Sequence, residues 1–336
     1  MSIEHAKHRI ALFSSKAYDK DVFDPILRQH HIDVLHIEAR LEAKTAPLAK
    51  GYDTVCAFVN DEVNADVTSL LAIGGVKHIA LRCAGYNNVD IENCRSHGIS
   101  VSHVPAYSPE AVAEHAMALV LTLNRRMHKA YNRVKEGNFD LNGLLGFTLH
   151  NKVVGVIGTG HIGTAFVKIA KGFGCQILCY DPYPNQLILD ETVQYVDLET
   201  LFKTSDIISL HCPLTNENKH LIEAESIQQM KDGVMLINTS RGGLINTSDL
   251  IKGLKTQKIG YVGLDVYEME SEIFFRDRSC EVIQDDIFQR LSTFHNVLIT
   301  GHQGFFTKEA ITEIAEVTMS NIIGYWHGNV TSDRIL

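Results

Sequence analysis

The sequence lacks several features that define whole classes of protein. Its seven cysteines and 17 histidines include no Cys-x-x-Cys and no His-x-x-x-His pair, so common zinc-binding spacings are missing and we expect no metal. No apolar run approaches the roughly 18 residues of a membrane-spanning helix. The N-terminal apolar run is too short for a signal peptide and predicts a first strand instead.

An excess of positive charge is also absent. The chain has 31 Lys and Arg residues against 40 Asp and Glu residues, a formal net charge of −9, and its basic residues form no cluster. This balance argues against nucleic acid and anionic membranes as partners. A negatively charged substrate would meet a mildly repulsive field, so any anion site must be built locally.

The composition is that of a globular protein, with 45% hydrophobic and 21% charged residues. A length of 336 residues suits two domains of ordinary size. The cysteines are odd in number and mostly lie in apolar, strand-like runs, which favours reduced thiols over disulfides. We therefore expect a cytoplasmic protein.

The first hundred residues alternate short apolar runs with segments of helical spacing. Five apolar runs predict strands, at 9–14, 32–37, 54–59, 78–83 and 99–104. Strands that alternate with helices are typical of a doubly wound parallel sheet. We therefore predict an α/β domain here.

A second alternating series begins at Lys152. Six apolar runs predict strands, the last at 296–301, and a helix at 307–326 closes the chain. A long helix that starts at Pro109, after the N-cap Ser108, links the two series. Because its first half is apolar nearly all round, we expect burial between domains or subunits. The sequence thus predicts two α/β domains, with the closing helix returning to the first.

A glycine-punctuated turn follows the first strand of the second series. Gly158, Gly160 and Gly163 have the spacing of a dinucleotide-binding turn between strand and helix. They would allow a tight turn, close approach of a pyrophosphate and close helix–strand packing, respectively. The amides of His161 and Ile162 would face the phosphates at the positive helix end. The alternative is a turn that serves packing alone.

An acidic residue follows at the position that distinguishes the two nicotinamide cofactors. The next strand ends at Asp181, 23 residues after Gly158, where a carboxylate can bind the adenine ribose hydroxyls. Pro182 and Tyr183 come next, so no arginine is placed there to receive a 2′-phosphate. The sequence therefore favours NAD over NADP.

Three polar residues lie after strands of the second series. They are Arg241, Glu270 and His302. Parallel open sheets place their ligand crevice at the carboxyl ends of the strands, so these side chains can converge. Each alone is often an ordinary surface residue. Together, behind a dinucleotide turn, they predict a site that pairs hydride transfer with a proton donor and a group that orients the substrate.

Eight stretches resemble, in order, the D-isomer-specific 2-hydroxyacid dehydrogenase family, and within it the branch of fermentative D-lactate dehydrogenases. They are LRCAGYNNVD (81–90), VPAYSPEAVAEHA (104–116), VGVIGTGHIG (154–163), YDPYP (180–184), ISLHCPLTNENKHLI (208–222), MLINTSRGGLIN (235–246), GLDVYEME (263–270) and LITGHQGFFT (298–307). The spacing of 29 residues from Arg241 to Glu270 fits the family signature. The longer spacing of 32 from Glu270 to His302 resembles the lactate branch. Ser271 stands where most of the wider family has proline.

The resemblance implies an architecture. A Rossmann NAD-binding domain (104–302) would be inserted into a flavodoxin-like substrate domain (1–103 and 303–336), both doubly wound parallel α/β folds. The helix from Pro109 would begin the NAD-binding domain and contribute to a homodimer or homotetramer through that domain.

The resemblance also implies an activity, the reversible reduction of pyruvate to D-lactate by NADH. His302 would give the proton to the C2 oxygen. Glu270 would hold its ring and favour the imidazolium. Arg241 would clamp the substrate carboxylate with its planar fork of donors and polarise the carbonyl.

Further residues are assigned to the two ligands by family position. Those implied for the substrate are the backbone amides around Ala84 and Gly85, the Tyr107 hydroxyl and the Phe305 ring. Those implied for the cofactor are Asp265, at the nicotinamide amide, and Cys212, Pro213, Asn218 and Thr239. Each of the last four could equally serve packing.

Two other functions fit the same residues. One is reduction of another 2-oxoacid, such as hydroxypyruvate, glyoxylate or a bulkier ketoacid, because the sequence defines pocket size poorly. The other is an NAD(H)-sensing binding protein like the transcriptional corepressors that share this fold. The complete set of Arg241, Glu270 and His302 favours an enzyme.

Overall fold

The computed structural model describes residues 8–329 and 333–336. The chain forms two compact units, one of Met1–Ser108 with Phe306–Leu336 and the other of Pro109–Phe305. The sequence placed the two divisions at 103/104 and 302/303, a few residues earlier in each case.

The first unit is built on a five-stranded parallel sheet. Its strands are β1 (Arg9–Leu12), β2 (Asp33–His36), β3 (Thr54–Ala57), β4 (His78–Leu81) and β5 (Ser100–Ser102). The order β2-β1-β3-β4-β5 is the flavodoxin-like arrangement. The helices between the strands are α1 (Ala17–Gln29), α2 (Ala65–Gly74) and α3 (Ile91–Ser96). The predicted strands are therefore all present, each shorter than its apolar run.

The C-terminal helix, Lys308–Trp326, completes the core of this first unit. Its buried face contributes Ala315, Met319 and Ile322 to a cluster that includes Ile10 and Phe23. The end of the chain thus packs on strands formed by its beginning.

The second unit contains a seven-stranded parallel sheet. Its elements, in chain order, are α4 (Pro109–Arg125), α5 (Met127–Lys135), β6 (Val153–Ile157), α6 (His161–Gly172), β7 (Gln176–Tyr180), β8 (Val193–Tyr195), α7 (Leu198–Thr204), β9 (Ile207–Leu210), α8 (Ala224–Gln229), β10 (Val234–Asn238), α9 (Thr247–Lys255), β11 (Ile259–Leu264), α10 (Asp286–Ser292) and β12 (Val297–Ile299). The order β12-β11-β10-β9-β6-β7-β8 is the Rossmann arrangement with one additional edge strand. The sequence missed β8 because three residues paired only to β7 are too short to show alternation.

The helix predicted to run on from Pro109 is interrupted. Arg126 has a left-handed backbone, with φ 48°, and separates α4 from α5. One face of α4 packs inside the second unit, where Ala116, Val120 and Leu123 share a cluster with Phe166 of α6. Burial of α4 between domains or subunits stays a prediction. An all-round apolar helix is buried, but the pattern does not say against what.

Candidate active site

The glycine turn between β6 and α6 is tightly constrained. Gly158 has φ 93°, and a Cβ there would lie 2.6 Å from the amide nitrogen of Cys212. A Cβ on Gly163 would overlap the carbonyl oxygen of Gly158. Gly160, the N-cap of α6, has no side-chain cap and faces open space. The turn therefore exposes backbone amides at a positive helix end, which is what a pyrophosphate requires.

Asp181, just after β7, is bound to this turn. Its Oδ2 accepts hydrogen bonds from the amide of Thr159 at 2.6 Å and from the Thr159 hydroxyl at 3.1 Å. The Thr159 hydroxyl also meets the Tyr195 hydroxyl at 2.7 Å. Beside the turn lies a cavity of about 330 Å³, lined in part by Gly160 and Lys168. The carboxylate is thus held next to the turn, as ribose binding requires.

The loop after β9 is held by its own side chains. Asn218 donates from Nδ2 to the Pro213 carbonyl at 2.7 Å and accepts at Oδ1 from the Thr215 amide at 2.7 Å. Burial raises the pKa of the Cys212 thiol to about 11, so it stays protonated at neutral pH. Asn218 therefore shapes the loop.

The second unit also offers a buried, unsatisfied group that suits a cofactor. Thr239, one residue beyond β10, is 8% exposed, and its buried Oγ1 has no hydrogen-bond partner among the described residues. Such groups are rare because an unmade bond costs about 1–3 kcal/mol. This hydroxyl, the open space at Gly160 and the carboxylate of Asp181 together fit a dinucleotide.

Asp265, one residue beyond β11, binds the loop that carries His302. Its Oδ2 accepts from the Gly304 amide at 2.8 Å, and its Oδ1 from the Gln303 amide at 2.8 Å and the Thr300 hydroxyl at 2.6 Å. His115 of α4 lies 3.3 Å from Oδ1. A contact of Asp265 with nicotinamide stays a prediction.

The three residues predicted to act together follow three neighbouring strands. Arg241 follows β10, Glu270 follows β11 and His302 follows β12, and these strands are adjacent in the sheet. His302 Nδ1 and Glu270 Oε1 are 2.9 Å apart. The other oxygen of Glu270 accepts from the Tyr267 amide at 2.9 Å. The carboxylate is thus fixed by the backbone on one side and by the imidazole on the other.

The backbone of His302 is itself unusual. It has φ 54°, a left-handed conformation that is uncommon for residues other than glycine, and its amide donates to the Asp265 carbonyl at 2.7 Å. The ring of Phe275 lies 5.6 Å from the imidazole, centroid to centroid. Phe275 belongs to the long segment between Glu270 and His302, and sequence reasoning did not identify it because nothing local marks its role.

Arg241 lies at the start of a short 3-10 helix, Gly242–Leu244. Asn238 donates from Nδ2 to the Arg241 carbonyl at 2.9 Å, and the guanidinium donates from Nη1 to the Ser240 carbonyl at 2.7 Å. The bond from Asn238 therefore anchors the backbone of this turn to β10. It fixes the point from which the Arg241 side chain extends.

Four other residues are predicted to contact the substrate, and three of them lie in the first unit. Ala84 and Gly85 follow β4 in the first unit, where the Ala84 carbonyl meets His103 Nδ1 at 2.8 Å. Tyr107, half-buried, belongs to the same unit, whereas Phe305 is buried at the end of the second unit.

The strand that leads into this first-unit loop ends at a buried charge. Arg82, 2% exposed, donates from Nε to Asp19 at 3.2 Å and from Nη2 to the Ser14 carbonyl at 2.9 Å. The ion pair fixes the start of the loop.

Some further properties bear on the class of protein. Within residues 8–329 and 333–336, no helix combines the length and apolar character that a membrane crossing requires. The same residues hold no group of three His, Cys, Asp or Glu side chains arranged for a metal ion. All seven cysteines are free.

Known proteins match this chain over nearly all of it. The family model described as D-isomer specific 2-hydroxyacid dehydrogenase, NAD binding domain, matches residues 117–304. The D-lactate dehydrogenase of Escherichia coli K12 is 50% identical over 98% of this chain and 100% of its own length.

Solved structures agree with these matches. The pyruvate reductase of Chlamydomonas reinhardtii is 44% identical with a TM-score of 0.92, covering 97% of this chain and 98% of that one. The D-lactate dehydrogenase of Aquifex aeolicus, complexed with NAD and lactic acid, is 32% identical with a TM-score of 0.87, covering 97% and 98%. This chain therefore belongs to the D-isomer-specific 2-hydroxyacid dehydrogenase family and is an NAD-dependent oxidoreductase.

Proposed function

We propose that this chain reduces pyruvate to D-lactate with NADH, reversibly: pyruvate + NADH + H⁺ gives D-lactate + NAD⁺. The observation that carries the proposal is the hydrogen bond of 2.9 Å between His302 Nδ1 and Glu270 Oε1. Arg241 follows β10, the strand next to the one that Glu270 follows. The names of the relatives, a D-lactate dehydrogenase and a pyruvate reductase, favour this substrate. NADH, when bound, supplies the hydride that is added to C2.

His302 donates the proton in this reaction. Its Nδ1 is bonded to Glu270, which leaves Nε2 to face the substrate and to protonate the C2 oxygen as the carbonyl is reduced. The carboxylate of Glu270 fixes the orientation of the ring through Nδ1 and places a negative charge beside the imidazole that gives up the proton.

Arg241 binds the substrate carboxylate. A guanidinium offers parallel donors that match a carboxylate, and its charge offsets the repulsion expected in a chain of net charge −9. The amides around Ala84 and Gly85 complete the anion site, Tyr107 adds its hydroxyl, and Phe305 bounds the space for the substrate methyl.

The remaining assignments concern the cofactor. The turn of Gly158, Gly160 and Gly163, with the amides of His161 and Ile162, binds the pyrophosphate. Asp181 binds the adenine ribose. Asp265, Cys212, Pro213, Asn218 and Thr239 line the nicotinamide end. Free, largely buried thiols suit a reducing compartment, and we place the enzyme in the cytoplasm.

The second unit presents an apolar patch that suits self-association. We define this apolar patch as Met127, Tyr131, Val134, Phe139, Leu141 and Leu145, whose exposed fractions range from 55% to 87%. Six large apolar residues exposed within one short stretch mark an interaction site. We propose that a second copy of the chain covers the patch, giving a homodimer or a tetramer built from such dimers.

The substrate is tested by a stereospecific assay. We expect purified protein given pyruvate and NADH to produce D-lactate and to oxidise NADH in equal amount. Hydroxypyruvate, glyoxylate and a bulky aromatic 2-oxoacid are assayed in parallel. A product of L configuration, or no lactate at all, would contradict the proposal, and faster turnover of another acid would reassign the substrate.

The role of Glu270 is tested by steady-state kinetics. Glu270→Gln keeps a hydrogen-bond acceptor for Nδ1 but removes the negative charge beside the imidazole, so kcat for pyruvate reduction should fall about 100-fold. Glu272→Gln, which neutralises an exposed carboxylate two residues away, is the matched control and should keep the wild-type kcat. An unchanged kcat in Glu270→Gln would remove Glu270 from this role.

Arg241 is tested by steady-state kinetics. Arg241→Gln loses a charge-assisted contact to the substrate, so KM for pyruvate should rise about 10- to 100-fold, with a smaller loss in kcat. Arg290→Gln removes a positive charge from an exposed position of α10 and should leave KM unaltered. A normal KM in Arg241→Gln means that another group binds the carboxylate.

The apolar patch is tested by sedimentation velocity. We expect the wild type to sediment as a dimer or tetramer and Leu141→Asp to shift it towards single chains. Leu187→Asp, at a residue that is 95% exposed in the same unit but outside the patch, should leave the assembly intact. A wild type that sediments as a single chain rules the proposal out.

A further inference from the structure

A second histidine–glutamate pair lies near the first. His220 Nε2 and Glu268 Oε1 are 2.6 Å apart, and the two side chains are 27% and 28% exposed. Glu268 precedes Glu270 by two residues, so each of these neighbouring carboxylates holds one imidazole. No role described above uses His220 or Glu268.

Glu268 ties the loop after β11 to the segment that follows Arg241. Its Oε2 accepts hydrogen bonds from the Thr247 hydroxyl at 3.1 Å and from the Thr247 amide at 3.4 Å. Thr247 is the first residue of α9, the helix that the chain enters after the turn at Arg241. One carboxylate thus joins two loops that carry predicted catalytic groups.

His220 connects the loop after β9 to the same two loops. Its amide donates to the Gly243 carbonyl at 2.9 Å, and two residues later the Ile222 amide donates to the Leu244 carbonyl at 2.9 Å. The backbone of His220 is left-handed, with φ 57°. Such a conformation in a bulky residue persists only where the surroundings impose it. The backbone of His220 is therefore held in a fixed position against the turn after Arg241, and its imidazole extends from there to Glu268.

The two joined loops also touch directly. A Cβ on Gly242 would overlap the carbonyl carbon of Tyr267 and approach the amide of Glu268. Tyr267 is the residue whose amide binds Glu270. The backbone next to Arg241 therefore packs on the backbone that anchors Glu270, and the His220–Glu268 pair adds a side-chain bond in the same group of loops.

We propose that His220 and Glu268 are positioning residues for the reduction. The pair fixes the separation between Arg241, which holds the substrate carboxylate, and Glu270, which holds the proton donor His302. The inference rests on the proposed function. Its physical basis is that a displacement of about 1 Å at groups that orient a substrate can lower the rate about 100-fold.

The test compares the removal of Glu268 with its conservative replacement. Glu268→Ala should lower kcat/KM for pyruvate about 10- to 100-fold, with both a higher KM and a lower kcat. The dissociation constant of NADH should change less than about threefold, because Glu268 bonds to His220 and Thr247 and to none of the residues proposed to bind the cofactor. Glu268→Gln keeps one oxygen that accepts from Thr247 and turns its NH2 group towards His220, whose neutral ring can accept. It should therefore recover most of the activity.

A double substitution tests whether the two residues act as a unit. His220→Ala combined with Glu268→Ala should cost no more than the worse single change, because the partners of one interaction are not additive. If the losses of the two single substitutions add in the double variant, the residues act separately. That result would overturn the proposal that they act as a pair.

A matched control separates positioning from stability. Asp197 caps α7 by accepting from the Thr200 amide at 2.7 Å, much as Glu268 accepts at the start of α9. Asp197→Ala should lower the melting temperature without changing kcat/KM. All kinetics are measured at a temperature where circular dichroism shows each variant folded.

Two further results would overturn the proposal: unaltered kcat/KM in folded Glu268→Ala, or a Glu268→Gln variant as impaired as Glu268→Ala. Should Glu268→Ala not fold, Glu268→Asp, one methylene shorter, takes its place with the same expected loss. If the wild type reduces no pyruvate, the proposed function has failed. The positioning role of the pair is then tested by the binding of oxamate, an unreactive analogue of pyruvate. Its dissociation constant is measured with NADH present in the wild type and in the variants. Equal values would overturn the positioning role.

Discussion

The geometry around His302 depends on one buried carboxylate. Asp265 is 2% exposed. Burial alone would raise its pKa, but bonds from His115 and Thr300 outweigh this and lower the pKa to about 2. The group is therefore ionised at neutral pH, and it receives two consecutive backbone amides as a charged acceptor. Charge-assisted bonds of this kind are about twice as strong as neutral ones, which is how the strained backbone of His302 is held.

The parallel sheet makes such an arrangement possible. The loops after β9, β10, β11 and β12 leave the same edge of the sheet because these strands are parallel and adjacent. Neighbouring strands lie about 4.8 Å apart, so successive loops must pack on one another. Gly242 lies where two of these loops come closest. The chemistry is thus carried by loops that brace each other.

The parts of the site that were predictable are those with a local pattern. Gly158, Gly160 and Gly163 are recognisable from spacing alone. Gly158 and Gly163 leave no room for a side chain, and Gly160 faces open space that a pyrophosphate can approach. Arg241, Glu270 and His302 could be proposed because each follows an apolar run that reads as a strand. The structure places them after adjacent strands, while their roles stay predictions.

Other parts were out of reach because they depend on contacts that are distant in the sequence. His220 meets Glu268 across 48 residues, and neither lies in a motif that suggests a partner. Phe275 reaches His302 through an irregular segment without periodicity. The break at Arg126 is invisible because Arg126 and its two neighbours, Arg125 and Met127, all favour a helix. These features arise from tertiary packing, which composition and periodicity do not encode.

The split of the first unit bears on how the protein is made. Its core includes Ile10 near one end of the chain and Ile322 near the other, while the second unit is one continuous segment. During synthesis the N-terminal strands leave the ribosome before the second unit, yet the helix that covers them is translated after it. The continuous unit can fold as soon as its own residues have emerged. The N-terminal strands keep apolar surface uncovered until the C-terminal helix has emerged. The partly made first unit is therefore the part of the nascent chain that most needs protection from aggregation.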